Sequence, residues 1–153
     1  MARHDQPRKT LRRDAIALLN RCAGCNSRLA ARHITAFLDR ELSASGFGVA
    51  QLGLMAQIAA ASDDTLGALA RRSGLEQSTL SRNLRTLEND DLIEIVATET
   101  DLRRRAVWLT ETGARRLEAA IPLWRKAHAK LARRLATDSA RRLARAAETL
   151  VEA

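Results

Sequence analysis

The chain has 153 residues, one ordinary domain's length and enough for a hydrophobic core without a disulfide framework. Aromatic residues make up only 3%, Tyr is absent and Ala and Leu supply most of the apolar mass, a composition suited to packed helices. The net charge of +8 favours a polyanionic partner, nucleic acid ahead of an anionic membrane, and no apolar run approaches the ~18 residues of a membrane span. The charge is uneven. Met1 to Ser45 holds 9 Lys/Arg against 4 Asp/Glu and Ala114 to Ala153 holds 10 against 4, whereas Gly46 to Gly113 holds 7 against 10. A nucleic-acid site in that middle stretch must work by local placement of arginine. Two cysteines are too few for a secreted scaffold. The first residues carry charge without the apolar run of a signal peptide, so the expectation is a cytoplasmic protein.

In chain order, residues 1–9 are polar and read as a flexible arm. A long helix is predicted from Thr10 to Ser43, with Leu11, Ala15, Leu18, Cys22, Cys25, Leu29, His33, Ala36 and Arg40 on one seam. Ser45-Gly-Phe-Gly48 ends it. An apolar second helix spans about Val49 to Ala61, and a third runs from Thr65 to Ser73-Gly74, where glycine suits a left-handed cap. A fourth opens near Glu76, carries Leu80, Leu84 and Leu87 on one face and ends at Asp90-Asp91. The period then changes to two. Ile93 to Thr98 and Arg105 to Thr110 read as strands joined by the polar tip Glu99 to Arg104. A fifth helix starts at Thr110 or Thr112, with Pro122 expected to kink it or delay its start, and a sixth starts at Thr137 or Asp138.

The fold class is mainly α with a small β-hairpin wing. Residues 46–113 are expected to form a winged helix-turn-helix lobe, and residues 10–45 and 114–153 a helical dimerisation region. The end helices are amphipathic and cannot all bury their seams on so short a centre, so a second copy is the expected partner.

The stretch Thr65 to Leu87 places two short helices around a tight turn. Ala70, four residues before Gly74, allows a close crossing, and Gly74 turns the chain without a Cβ clash. On the second of these helices Gln77, Ser78, Thr79, Ser81, Arg82, Arg85 and Thr86 face outward, types that suit base edges and phosphates in a major groove. Thr65 joins them at the start of the first. The hairpin adds Asp101, Arg103, Arg104 and Arg105, where arginine can enter a minor groove and Asp101 can orient a neighbour. By itself such a helix face or arginine run is often just solvated surface, but a hairpin directly after a helix-turn-helix favours DNA.

These residues resemble the MarR (multiple-antibiotic-resistance regulator) family. The signs are the helix-turn-helix, Leu87-Glu-x-Asp-x-Leu-Ile93, the wing Asp101-x-Arg103 and Leu109-Thr-x-x-Gly113. The likeness covers about Ala30 to Leu135 and is most specific from Leu66 to Gly113. It implies a homodimer whose two lobes read a pseudo-palindromic double-stranded operator. It also implies repression relieved by a small aromatic or phenolic acid or by cysteine oxidation. It matches Ser78, Thr79, Ser81, Arg82, Arg85, Asp101 and Arg103, while Gln77 falls where members vary. The family's usual effector cleft, between the first, second and fifth helices, would here draw on Arg28, Arg32, His33, Gln51, Met55 and Trp124.

Cys22 and Cys25 form a Cys-x-x-Cys pair beside Arg21 and Arg28, open to a redox reading through sulfenic acid and disulfide. Burial on the apolar seam is the competing reading, and a position inside a helix makes a local disulfide awkward. A Cys/Cys/His set with His33 is a poor zinc signature, so no metal or other cofactor is expected. No phosphate loop, nucleophile elbow or zinc-protease motif appears, which argues against an enzyme. The remaining alternative is an adaptor that uses a winged helix to bind protein.

Overall fold

The computed structural model describes residues 9–97 and 105–150. Helix α1 (Lys9–Arg21) and helix α2 (Ala23–Leu42) come first, then a single 3-10 turn, Ser43–Ser45. Helices α3 (Val49–Ala59), α4 (Leu66–Ser73) and α5 (Gln77–Asn89) follow, then strands β1 (Ile93–Ala97) and β2 (Arg105–Leu109), then α6 (Glu111–Ala132) and α7 (Thr137–Glu148). The chain divides into one unit ending at Phe37 and another beginning at Leu38.

In the first unit, the single helix expected from Thr10 to Ser43 is interrupted at Cys22. The backbone bonds Cys22 N–H to Leu18 O (2.8 Å) and Asn26 N–H to Cys22 O (3.0 Å) bridge the break. The Asn26 side-chain amide donates to Cys22 O at 2.9 Å and to Leu19 O at 3.2 Å, occupying carbonyls at the end of α1. Gly24 follows the break and lowers the helix propensity of this turn. The hydrophobic period runs straight across it, which is why the interruption is invisible in the pattern of apolar residues.

The second unit is built around α3, which packs against α4, α6 and β2 and buries Leu52, Leu54, Met55 and Ile58. Its start is fixed twice: Gly48 N–H donates to Gln51 Oε1 at 3.2 Å, and Val49 N–H donates to Asp39 Oδ1 at 2.7 Å. The Arg116 guanidinium lies 4.4 Å from the centre of the buried Phe47 ring, holding the loop before α3 against α6. Leu42, Met55, Leu69, Leu87, Leu92 and Val107 are the largest fully buried side chains, and no charged or polar residue is buried among the described residues. Each such leucine contributes about 1.5–3 kcal/mol by leaving water.

The hairpin is antiparallel, with Ile93 opposite Leu109, Ile95 opposite Val107 and Ala97 opposite Arg105. A feature not expected from the sequence joins it. Thr65 forms an isolated antiparallel bridge with Ala106, and Val107 N–H donates to Asp64 O at 2.8 Å. The segment before α4 thus pairs with β2, and both Ala106 and Val107 are buried. Helix α6 already starts at Glu111 and includes Pro122, so the late start that this proline suggested as an alternative to a kink does not occur.

Candidate nucleic-acid interface

Helix α4 begins at Thr65, whose Oγ1 accepts Ala68 N–H at 3.2 Å and whose own N–H donates to Asp63 Oδ1 at 2.9 Å. The Thr65 hydroxyl still has a proton to donate outward. Ala68 and Leu69 are buried, and Gly74 ends the helix at φ +61° with no atom within 4 Å of a would-be Cβ. The glycine is needed for its conformation and not for space.

Helix α5 rests on Leu80, Leu84 and Leu87, all buried, which leaves Gln77, Ser78, Thr79, Ser81, Arg82, Arg85 and Thr86 exposed. Arg82 and Arg85 enter no ion pair among the described residues. Thr86 differs from its neighbours: its hydroxyl donates to Arg82 O at 3.1 Å, so only lone pairs face out and a phosphate finds no donor there. Three N–H donors open the helix behind Glu76, whose side chain makes no capping bond.

The wing follows through a tightly built corner. Helix α5 ends in a Schellman turn, with Leu92 N–H bonded to Leu87 O (2.9 Å), Asp91 N–H to Glu88 O (3.0 Å) and Asp91 at φ +57°. Thr110 then closes the base of the hairpin. Its Oγ1 donates to Asp91 O at 2.6 Å and accepts Gly113 N–H at 2.9 Å, and its N–H donates to Leu92 O at 3.1 Å. A Cβ on Gly113 would lie 1.9 Å from Leu92 O. The pattern Leu109-Thr-x-x-Gly113 is therefore a capping hydroxyl plus a backbone contact that only glycine permits. On β2, Arg105 is exposed, and Trp108 Nε1–H donates to Glu94 Oε2 at 3.4 Å across the outer face of the hairpin. Asp101, Arg103 and Arg104 lie outside the described residues.

A cavity of about 510 Å³ opens between α3 and α6, lined by Leu52, Gly53, Ala56, Leu117, Ile121, Trp124 and Arg125 among others. Trp124, one of the residues expected at an effector cleft, lines this cavity. Met55 is fully buried in the core and Gln51 is engaged at the start of α3, so neither lines the cavity. Arg28, Arg32 and His33 are exposed on α2. The sequence reading missed Arg125, which is adjacent to Trp124 and is the only charged residue lining the cavity among the described residues. An arginine flanking an aromatic on the cavity side of an amphipathic helix was the available signal.

Cys22 and Cys25 are both free thiols, half-buried. They do not sit inside a continuous helix. Cys22 is at the capping position of α2, and its Sγ accepts Cys25 N–H at 3.4 Å. That N–H and the Cys25 thiol hold the Cys22 thiol below its ordinary pKa. Partial burial acts against them, with the Gly24 N–H and the Arg28 guanidinium adding smaller contributions in the same lowering direction.

The MarR family model matches residues 45–104, from the loop before α3 to the wing. None of the curated proteins matches the chain in sequence. Among solved structures, the transcriptional regulator MosR of M. tuberculosis, in complex with DNA, is 33% identical over 84% of this chain and 98% of its own, with a TM-score of 0.73. A mutant MarR of E. coli with operator DNA is 23% identical, covering 87% and 97%, with a TM-score of 0.72. MepR of S. aureus, as a DNA complex, is 20% identical, covering 85% and 96%, with a TM-score of 0.67. With helix-turn-helix, wing and capped α6 all in place, the chain belongs to the MarR family and is a winged-helix transcription regulator of the DNA-binding kind.

Proposed function

We propose that the protein is a homodimeric repressor that binds a pseudo-palindromic duplex operator. The observation that carries this is α5, with three buried leucines below and an exposed row of Gln, Ser, Thr and Arg above. MosR, described in complex with DNA at 33% identity, supports the same use of the lobe here. In the docked form Gln77, Ser78, Thr79 and Ser81 approach bases and backbone, Arg82 and Arg85 bind guanine or phosphate, and the wing arginines enter the flanking minor groove.

The dimer rests on uncovered apolar surface. Leu11, Ile16, Leu18 and Leu19 on α1, Leu29 on α2 and Leu143 on α7 are 43–61% exposed in the single chain. A second copy is the occupant that a symmetric interface supplies.

Two observations favour release by a signal. The α3–α6 cavity offers Trp124 as an aromatic wall and Arg125 as a carboxylate partner, the chemistry of an aromatic acid. Cys22 favours an oxidant: its thiolate attacks a hydroperoxide, giving a sulfenic acid and water or an alcohol. A second thiolate, from Cys25 or the partner copy, then displaces hydroxide to form a disulfide.

The deciding experiment is selection of bound duplexes from a random library, followed by titration at several salt concentrations, with and without hydroperoxide or benzoate-type acids. A selected palindrome with a steep salt dependence supports the reading. No enrichment and a flat salt response would instead favour a protein-binding adaptor.

A further inference from the structure

The recognition helix opens on an acidic residue that the fold does not use. Glu76 is the capping residue of α5, at φ −57° and ψ 141°, is exposed, and makes no capping bond. It enters no ion pair among the described residues. The equivalent positions of α4 and α6 hold Thr65 and Thr110, whose hydroxyls accept Ala68 N–H and Gly113 N–H. Threonine is a preferred residue there, and glutamate is not among the preferred caps. A carboxylate beside the positive end of α5 gains a small charge–dipole attraction, but a threonine would add a capping bond that Glu76 does not make, so local stability is a weak reason for glutamate here.

Its position does suggest a use. It stands at the leading end of the helix whose exposed face carries Gln77, Arg82 and Arg85. The leading residues of a recognition helix meet base edges. A carboxylate is repelled by phosphate, so on a DNA-facing end it costs affinity unless it meets a donor. In the major groove cytosine offers its N4 amino group with no acceptor of its own, adenine sets its N6 amino group beside the N7 acceptor that repels a carboxylate, guanine offers only acceptors and thymine offers an acceptor and a methyl group. We propose that Glu76 is a specificity-determining residue: its carboxylate accepts a hydrogen bond from one cytosine N4 in each half-site and rejects guanine or thymine there. This rests on the docking of α5 in the major groove put forward above.

The test compares wild type with Glu76→Gln in duplex selection, then in titration on the selected duplex, on a duplex changed at the one position, and on a scrambled duplex. Because Glu76 makes no capping bond or ion pair, the variant loses only a small charge–dipole attraction and should melt within a few degrees of wild type. The expected result is a wild-type motif with cytosine fixed at one position per half-site. In Glu76→Gln that position moves to adenine or loses its preference while the others stay, and discrimination there falls by about ten-fold. Binding to the scrambled duplex should tighten several-fold, since a like charge has been removed from the phosphate field. The same motif and the same discrimination in both proteins would overturn the proposal alone. A wild type that selects no motif would overturn the docking of α5 and this proposal with it.

Discussion

Gly113 shows how much one hydrogen atom can decide. Its missing Cβ leaves room for Leu92 O, which a methyl would meet at 1.9 Å. Because the obstacle is backbone, it cannot swing aside as a side chain would. We expect Gly113→Ala to cost at least about 3 kcal/mol, read as a fall in Tm of about 6–12 °C. A variant melting like wild type would show that the corner is looser than its geometry. Gln57 gives the opposite case. Its Oε1 is buried without a hydrogen-bond partner among the described residues. Replacing it removes an unsatisfied acceptor, so Gln57→Leu should stabilise the protein by about 1 kcal/mol in denaturant titration. On the outer surface, Arg82→Ala should leave stability unchanged and weaken operator binding by about 1–3 kcal/mol in a gel-shift titration. Thr86→Val should barely change binding, since that hydroxyl is already donated to Arg82 O. These outcomes belong to single side chains, and the sequence showed which of them face outward. It did not show that Thr86 is occupied or that Gln57 is stranded, because both depend on neighbours settled only in three dimensions.

At the scale of elements, the helix-turn-helix and the hairpin were legible because their signals are periodic. Leu80, Leu84 and Leu87 mark a helix face, and the alternation from Ile93 onward marks a strand. The Thr65–Ala106 bridge was not, since a one-residue pairing has no period to read. The break between α1 and α2 was hidden for a different reason. Cys22 and Cys25 keep the spacing of a helical seam on both sides of it, and what interrupts the helix is the pairing of Asn26 with the carbonyls behind it. The break changes the chemistry of the cysteines. A thiol at a capping position has an N–H aimed at it, and Cys22 is held below its ordinary pKa for that reason first. Haloacetamide alkylation of the Cys25→Ser variant, in which Cys22 is the sole thiol, should therefore show a midpoint below the ~8.5 of a free cysteine. The sign for stability follows. A lowered pKa in the folded chain favours folding above the ordinary thiol pKa, and the gain fades as pH falls through the lowered value. An alkylation midpoint at or above that of a free thiol would remove Cys22 as an oxidant-sensitive group.

For the whole molecule, the uncovered leucines are the main clue. Leu143 is 56% exposed on a helix whose other face carries Arg141, Arg142 and Arg145. If a second copy covers it, a two-fold axis repeats any change. Leu143→Asp should then weaken association by about 3 kcal/mol or more, seen by sedimentation, while each chain stays folded. Unchanged association would place the interface elsewhere. Two lobes held together also make binding steeply dependent on salt, with log K falling by about 0.9 for each phosphate contact per unit of log salt. The corner at Gly113 bears on how such an assembly moves. The first turn of α6 is bolted to the base of the wing through Thr110 and pressed against Leu92 without a methyl's clearance. Tightly packed joints pass on displacement and do not absorb it. A twist applied further along α6, beside Trp124 and Arg125, would thus be carried into the paired strands β1 and β2 as by a rigid crank.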